Sequence, residues 1–575
     1  MKIAIVSPQF PFSGRVPLVP PILEYLAALT LREAQGTDVQ LFDANQVNIS
    51  PGEISADTVA VSVMTATAPW AYRFADECRS MGKKVILGGI HPTALPEEAA
   101  LHADAVVVGE AESVWGRVLA DARRGMLEKL YHGERLPLVN LPSPIDGKLK
   151  GNYQFRAFFT MRGCPYRCTF CSVRTFFGDT IRYRPIDEVV SEVEACAGRL
   201  WFNGDDNIWG GDLQRSTDLF NALAQGSSRK WYGFGDLRSV QSEQGARMLA
   251  AARRSGLFSV WVGWENDERL LGEFKASGKQ GSDRTAAVRM MQDAGIDVTL
   301  FVVLGGRQDS IDSFKRTLEL TERLQVGIHP VLLTPLPGTE LFEEYRDHLI
   351  PGLGWDSFTG VNAVFAHPSP DMTPRRREEE YHRLANELFK FERIINRISK
   401  ISSKGFPSTH IYSMMKQLPM KHALSKAYEE WQLGTGNDSR EPEAAGSVGD
   451  RDESVPGNKP LRFTWRSVRE LSRRGEFVSW LASIAGITVV DLVEKYAIAP
   501  ATLLDTLEYL FFTSSFLLVL VFIVINRKSY YRQVDTLVNW TRDGKARQTL
   551  VARQLIVMSL YAVGQYWAYL CLFND

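Results

Sequence analysis

At 575 residues the chain is too long for one hydrophobic core, and at roughly 150 residues per domain it should hold about three or four structural units. Its 66 lysines and arginines are balanced by 67 aspartates and glutamates, which argues against a dedicated nucleic-acid-binding protein, because such proteins carry a basic excess. Three of the six cysteines fall within residues 164–171, and this uneven spacing favours a reducing compartment with one metal site over a disulfide framework.

Residues 1–140 alternate short apolar segments with helical patterns and run from the first residues directly into this pattern, so no signal peptide is expected. This alternation predicts a doubly wound α/β domain with a parallel sheet. Ligands of such sheets bind beyond the carboxyl ends of the strands, so the loops that follow the strands are expected to carry function. The predicted strands are 2–6, 39–42, 58–63, 84–87 and 105–108, and the predicted helices include 21–33 and 68–81.

A second alternating region covers about residues 150–345. Six strand–helix repeats predict a partial or full β/α barrel of the TIM type, where catalysis belongs at the C-terminal strand ends. The predicted strands are 157–160, 200–203, 231–233, 258–262, 298–303 and 329–334. Residues 346–432 are predicted to be a helical extension, and residues 433–460 lack apolar periodicity and are predicted to be a disordered linker.

The tail, residues 461–575, holds three apolar stretches of nearly membrane-spanning length, 477–493, 507–525 and 555–573. Basic residues cluster at 462–474 and at 527–547, and three spans would put both clusters on the cytoplasmic side together with the preceding domains. We therefore expect a protein of the cytoplasmic membrane whose α/β domains face the cytoplasm. Two alternatives stay open: buried helices of a soluble domain, and a hairpin or interfacial helices.

The string MRGCPYRCTFCSV places Cys164, Cys168 and Cys171 in a Cys-x3-Cys-x2-Cys pattern after the first predicted barrel strand. Thiolates bind iron well, and three ligands from one short loop can hold three irons of a cluster and leave the fourth open. A structural zinc site would need a fourth protein ligand. The nearest candidate, Cys196, falls in the helical pattern 186–197. The spacing therefore predicts an iron–sulfur cluster with an open position.

This pattern resembles the signature of the radical S-adenosylmethionine (SAM) superfamily, Cys-x3-Cys-x-aromatic-Cys, with Phe170 as the aromatic residue. The resemblance implies that a [4Fe-4S] cluster held by the three cysteines cleaves SAM to a 5′-deoxyadenosyl radical that abstracts hydrogen. It also implies an electron donor such as flavodoxin or ferredoxin. Candidate SAM-binding residues are those that match the family's positions near the cluster and at the strand ends: Phe170, Gly204, Asp205, Asp206, Glu265 and Gly305.

The loops VILGGIHPT (85–93) and DAVVVGEAE (104–112) resemble the Rossmann-like cobalamin (B12)-binding domain that precedes the barrel in one subfamily. The string TPLPGT (334–339) also resembles members that use cobalamin. Candidate cobalamin-facing residues are Thr65, Gly88, Gly89, His91, Gly109 and Glu110. The loop 7–20 holds no histidine, so a bound cobalamin should lack the usual lower axial imidazole. A retained fold that only caps the barrel remains the alternative.

These patterns together favour a membrane-anchored radical SAM enzyme that functionalises an unactivated carbon. The preferred reaction is cobalamin-dependent C-methylation of a lipid, isoprenoid-like or natural-product substrate. Rearrangement or carbon–carbon bond formation without methylation is an alternative of the same class. An alternative of another class is a cobalamin- or redox-sensing membrane regulator, against which the intact cysteine pattern counts.

Overall fold

The computed structural model describes residues 1–11, 18–144, 149–390 apart from 152, 197, 199, 227–228 and 266–282, and the single positions 393, 428, 431 and 432. All of them belong to the first of two units into which the chain divides, Met1–Ala444. The predicted linker and the three predicted membrane spans lie outside the described residues. Within the described part of the chain, no helix combines the length and the apolar character that a bilayer crossing requires.

The N-terminal part forms a six-stranded parallel sheet with the order β2-β1-β3-β4-β5-β6. The order reverses between β1 and β3, which makes this the topological switch point, where such sheets bind ligands. The strands are β1 (Lys2–Ser7), β2 (Asp38–Asp43), β3 (Thr58–Ser62), β4 (Lys84–Gly88), β5 (Ala105–Val108) and β6 (Leu130–His132).

Helices cover both faces of this sheet, because successive side chains of a strand point to opposite faces. In β1, Ile3 and Ile5 join the apolar cluster under α1 and α5, whereas Ala4 and Val6 join the cluster under α2 and α4. The helices are α1 (Pro21–Glu33), α2 (Ala68–Ser80), α3 (Ile90–Ala94), α4 (Pro96–His102) and α5 (Trp115–Arg124). The strongly apolar strands of this region follow from burial on both sides.

The second sheet is parallel and takes its strands in chain order, β7-β10-β11-β12-β13-β14, with β7 and β14 at its edges. It is therefore a partial barrel of six strands rather than a closed barrel. The strands are β7 (Arg156–Phe158), β10 (Leu200–Asn203), β11 (Lys230–Gly235), β12 (Leu257–Glu265), β13 (Asp297–Leu304) and β14 (Gly327–Leu332).

A short antiparallel pair, β8 (Met161–Arg162) and β9 (Arg182–Tyr183), stands outside this sheet. The remaining helices follow the strands and continue into the C-terminal extension: α6 (Val173–Phe177), α7 (Ile186–Ala195), α8 (Leu213–Gln225), α9 (Glu243–Arg254), α10 (Arg284–Asp293), α11 (Ile311–Leu324), α12 (Glu340–Tyr345) and α13 (Pro374–Leu388). Helix α13 packs against α11 and β14 and covers one end of the barrel.

Most of the predicted strands agree with the structure to within two residues at each end. The structure adds β6, β8 and β9, which the sequence analysis did not predict. These three strands have only two or three residues each, too few for an alternating pattern to stand out.

Candidate active site at the cysteine loop

The three cysteines lie in one loop, residues 163–181, whose two ends are joined by the β8–β9 pair. The loop begins with Gly163 at φ +93°, a conformation that glycine adopts readily. A Cβ atom at this position would lie 2.8 Å from the carbonyl oxygen of Thr180. The Arg-Gly-Cys sequence is thus explained by a sharp turn at the point where the chain leaves β8.

One internal hydrogen bond and hydrogen bonds to two other segments of the chain fix the loop. The amide of Cys171 donates to the carbonyl of Cys168 at 3.1 Å, and the amide of Leu341 in α12 donates to the carbonyl of Thr169 at 3.0 Å. The hydroxyl of Tyr166 donates to Asp236 Oδ1 at 3.0 Å. The side chains of Cys168 and Phe170 pack against the apolar cluster around Leu341. The barrel and its extension therefore hold the cysteine loop from both sides.

The cysteine loop closes one side of a cavity of about 470 Å³ at the C-terminal ends of the barrel strands. Cys164, Cys168 and Cys171 all line this cavity, together with Phe170. Opposite them lie residues that end the strands, including Asp206 after β10 and Glu265 at the end of β12. This placement is where barrel enzymes carry their chemistry.

The donor set fits a cluster with three cysteine ligands. All three thiols are partly buried. Burial raises the pKa of Cys164 to about 11 and that of Cys171 to about 12, so metal binding must displace their protons. Among the described residues, no three His, Cys, Asp or Glu side chains converge on a single metal position. A cubane cluster spreads its ligands over separate irons and needs no such convergence.

The adjacent carboxylates Asp205 and Asp206 have different surroundings. Asp205 is 1% exposed and accepts hydrogen bonds from the amides of Thr160 and Met161 at 2.7 and 3.1 Å, so it anchors the strand that leads into the cysteine loop. Asp206 lines the cysteine cavity. Burial, and then the Asp205 carboxylate, raise the pKa of Asp206 to about 7. Of the two carboxylates expected to bind SAM, Asp206 lines the cysteine cavity and Asp205 does not.

Glu265 also lines the cysteine cavity and has φ +61°, which is uncommon for a residue with a side chain. Gly305, in contrast, is not placed on the wall of this cavity. Its amide donates to Asp309 Oδ2 at 2.7 Å, and a Cβ atom there would lie 3.3 Å from Cδ of Arg377. The C-terminal extension therefore covers the glycine that was expected to face SAM.

The sequence analysis did not single out Asp236, which follows β11 and lines the cysteine cavity. Besides Tyr166, it accepts hydrogen bonds from Asn207 Nδ2 at 2.9 Å and from the amide of Ser239 at 2.7 Å. It joins the cysteine loop to two neighbouring strand ends. A carboxylate directly after a barrel strand is the signal that would have indicated it.

A second cavity, of about 340 Å³ and mostly apolar, lies between the N-terminal sheet and the barrel. We call it the interdomain cavity. Four of the six candidate cobalamin-facing residues, Gly88, Gly89, Gly109 and Glu110, line it, and Gly204 lines it from the barrel side. Gly89 has φ +101°, and a Cβ atom there would lie 2.8 Å from the carbonyl of Val63. These glycines leave the backbone at the ends of β4 and β5 open to a large ligand.

Thr65 and His91 are not among the residues that line the interdomain cavity. His91 lies in α3 and is fully buried, with Nε2 at 3.3 Å from Glu98 Oε1 and its ring against that of Trp355. Its burial therefore does not suit it as an axial ligand. The glycine edges and the apolar walls fit a corrinoid.

Asp206 lines both cavities, so the cysteine cavity and the interdomain cavity are adjacent at this residue. Arg162, which precedes the cysteine loop, lines the interdomain cavity and forms ion pairs with Glu110 and Glu112 at 2.6 Å.

A family model described as the B12 binding domain matches residues 18–119. The fold is similar to that of the radical SAM methyltransferase TsrM from Kitasatospora setae. With cobalamin and a [4Fe-4S] cluster bound, TsrM gives a TM-score of 0.52 at 16% identity over 68% of this chain and 88% of TsrM. With tryptophan and a SAM analogue bound, it gives a TM-score of 0.55 at 15% identity over 76% and 99%. The matched B12-binding model and the fold shared with TsrM support the predicted architecture of a radical SAM barrel with an N-terminal B12-binding domain.

Two curated methyltransferases are similar to this chain. It is 29% identical over 381 residues to the bacteriochlorophyllide d C-12(1)-methyltransferase of Chlorobaculum tepidum, a match that covers 63% of this chain and 81% of the relative. It is 24% identical over 405 residues to the C-8(2)-methyltransferase of the same organism, with coverages of 64% and 88%. The predicted cofactor set of cluster, SAM and cobalamin agrees with the matched B12-binding model and with the ligands of the TsrM structures.

Proposed function

We propose that this chain is a cobalamin-dependent radical SAM methyltransferase that methylates an unactivated carbon of an apolar substrate. The observation that carries the proposal is that Asp206 lines both cavities, which makes the two cavities neighbours at this residue. A reaction that removes hydrogen with one cofactor and adds methyl from another needs both cofactors beside the same substrate atom. Two similar relatives are named as methyltransferases, which supports methylation over rearrangement.

In this proposal Cys164, Cys168 and Cys171 hold the cluster, and Asp206 and Glu265 bind the polar groups of SAM. A carboxylate at Asp206 suits an ammonium group. Gly88, Gly89 and Gly109 admit the corrinoid at the edge of the N-terminal sheet. When bound, these groups together supply hydrogen-atom abstraction and a methyl donor. The apolar walls exclude water, which protects reactive species from side reactions.

The substrate is proposed to be apolar and to contain rings. Aromatic side chains of three neighbouring strands, Phe234, Trp261 and Phe301, line the cysteine cavity opposite the cysteines. Their ring centroids lie 5.4–5.7 Å apart, so they form one continuous aromatic wall. Such a wall favours lipid, isoprenoid-like or planar ring substrates over charged metabolites.

The test is production of 5′-deoxyadenosine by anaerobically reconstituted, reduced protein with SAM and hydroxocobalamin. Cys168→Ala should abolish it, because the cluster loses a ligand. Cys196→Ala is the matched control, since Cys196 is 7% exposed and lies outside the cysteine loop. Wild-type rates in Cys168→Ala would refute the radical mechanism.

Substrate and reaction type are tested by comparing lipid and pigment extracts of a deletion strain and its parent by mass spectrometry. A compound that loses one methylene in the deletion strain would support methylation. A rearranged isomer of equal mass would instead support the alternative without methyl transfer.

We further propose, from the sequence, that residues 461–575 attach the enzyme to the cytoplasmic membrane with its cofactor domains in the cytoplasm, where flavodoxin or ferredoxin can reduce it. The three apolar stretches and the placement of basic residues support this. The full chain should sediment with membranes, and a chain ending at residue 444 should not. Equal sedimentation of both would contradict the anchor.

A further inference from the structure

A group of four charged side chains joins the B12-binding domain to the two ends of the cysteine loop. We call it the loop-base cluster: Glu110 and Glu112, which follow β5, and the cross-strand pair Arg162 and Arg182. Arg162 donates through Nη1 to Glu110 and through Nη2 to Glu112, both at 2.6 Å. Arg182 donates through two nitrogens to the two oxygens of Glu110. Glu110 thus receives both arginines that close the cysteine loop.

The loop-base cluster is buried and electrically balanced. The side chains of Glu110 and Glu112 are 2% and 8% exposed, and those of Arg162 and Arg182 are 17% and 14% exposed. Burial alone would raise the pKa of Glu112, but the Arg162 guanidinium outweighs burial and lowers that pKa below its ordinary value. The hydroxyl of Tyr25 donates to Glu112 at 2.7 Å. Glu112 therefore stays charged, and several donors fix the geometry of both carboxylates.

The loop-base cluster lies at the wall of the interdomain cavity and at the base of the cysteine loop. Tyr25, Glu110, Glu112 and Arg162 line the interdomain cavity. The residue after Arg162 is Gly163, where the cysteine loop begins, and Asp206 lines both this cavity and the cysteine cavity. The ion pairs of Arg162 and Arg182 therefore connect the wall of the interdomain cavity to both ends of the loop that carries the three cysteines.

We propose that Arg162 and Arg182 are positioning residues that couple the cavities, so that a corrinoid in the interdomain cavity strengthens SAM binding at the cysteine loop. This inference rests on the proposed function. A ligand against Glu110 and Glu112 removes water from the ion pairs, which strengthens them. The ends of the cysteine loop are then already ordered when SAM binds, and a second ligand that meets an ordered site binds more tightly.

The test measures SAM affinity of the cluster-loaded full chain with and without hydroxocobalamin, following the electron paramagnetic resonance signal of the reduced cluster. Hydroxocobalamin should tighten SAM binding by about fivefold or more, a typical coupling between two sites. SAM should tighten hydroxocobalamin binding by the same factor, because coupling between equilibria is reciprocal.

Glu110→Gln and Glu112→Gln should reduce this factor to near one while each ligand still binds. The matched control is Glu24→Gln. Glu24 of α1 forms an ion pair with Arg156 of β7 at 2.7 Å and is 5% exposed, so it joins the same two regions without touching the cysteine loop. Glu24→Gln should keep the wild-type coupling factor. A structural role alone would lower stability in all three variants and would leave the factor unchanged.

Tyr25→Phe is the milder variant if a charge change prevents folding, because it removes one hydrogen bond to Glu112 and no charge. It should lower the coupling factor in part. The inference is overturned if the glutamine variants, or Tyr25→Phe in their place, retain the wild-type factor, or if Glu24→Gln loses it equally. A wild-type protein that binds neither ligand, or forms no 5′-deoxyadenosine, would instead refute the proposed function.

Discussion

Gly163 is the residue on which the start of the cysteine loop depends. Gly163→Ala should lower the iron content of reconstituted protein, because the added Cβ meets the Thr180 carbonyl at 2.8 Å in a left-handed backbone. Gly125→Ala is the control, since Gly125 also has a positive φ, +71°, but no atom within 4 Å of the added Cβ. A left-handed alanine costs about 1–2 kcal/mol in either place. Equal iron content in both variants would show that the turn does not shape the site.

Substitutions of the neighbouring Asp205 and Asp206 should affect different properties: the first should change stability, and the second should change SAM binding. Asp205→Ala should lower the free energy of unfolding by about 2 kcal/mol, because the amides of Thr160 and Met161 and the Thr160 hydroxyl would lose their buried acceptor. Asp206→Asn should leave stability close to wild type and weaken SAM binding by roughly tenfold or more, the value of one charge-assisted hydrogen bond. Chemical denaturation and SAM titration distinguish the two, and a reversed pattern would exchange their roles.

The spacing of the three cysteines was sufficient to predict their common site, because all three ligands lie in one loop. The roles of Asp236 and Arg162 could not be predicted this way. Asp236 meets Tyr166 only because β11 stands beside β10, and Arg162 meets Glu110 only because two sheets pack together. Gly305 was expected to face SAM from its strand-end position, but the later extension with Arg377 covers it.

Helix α13 carries a histidine whose burial makes the extension sensitive to acid. His382 is 2% exposed and packs against the rings of Tyr381, Tyr428 and Trp431, and burial lowers its pKa to about 4. Between pH 6.5 and 4 the unfolded chain takes up a proton there that the folded chain does not. Stability should therefore fall as the pH falls through this window.

His382→Phe should reduce the slope of unfolding free energy against pH by up to about 1.4 kcal/mol per pH unit between pH 6 and 5. Phenylalanine keeps an aromatic ring in place and cannot be protonated. Denaturation midpoints at pH 7, 6 and 5 measure the slope. An unchanged slope would show that His382 is protonated in the folded protein.

At the scale of elements, the sequence predicted the bounds of strands and helices whose apolar residues recur with a clear period. Three elements have the predicted bounds: Pro21–Glu33, Ala105–Val108 and Leu200–Asn203. The β8–β9 pair was not predicted, although it closes the cysteine loop, because two-residue strands carry no period. His91 was expected in a ligand-facing loop. The chain there turns into α3 instead and buries the imidazole beside Glu98.

For the whole molecule, the proposed binding of cobalamin in the interdomain cavity predicts that this ligand stabilises the fold. Hydroxocobalamin at 100 times its Kd should raise the free energy of unfolding by about 2.7 kcal/mol. Gly88→Val should remove this gain, because its Cβ fits 3.6 Å from Val107 Cβ and the side chain adds bulk to a cavity-lining position. Gly52→Val is the control, with its Cβ 3.8 Å from the nearest atom and outside the cavity. A ligand-induced shift that survives in Gly88→Val would place cobalamin elsewhere.

Two α/β regions and their order along the chain were predictable, because strands and helices alternate in both. Whether the barrel is partial or closed was not predictable from six repeats, and the edge positions of β7 and β14 decide it. The cavity between the regions was not predicted either. It forms from residues far apart in the sequence, such as Gly88 and Phe159, that no local pattern connects.

The ion pairs that Glu110 forms with both Arg162 and Arg182 should limit which substitutions these three positions tolerate. Loss of the acid would leave two buried cations close together, and loss of either arginine would leave an excess of negative charge. Substitution at any one of the three positions should therefore be accompanied by compensating changes at the others. Covariation of positions 110, 162 and 182 among homologues, stronger than that of positions 24 and 156, would be the evolutionary trace of this contact.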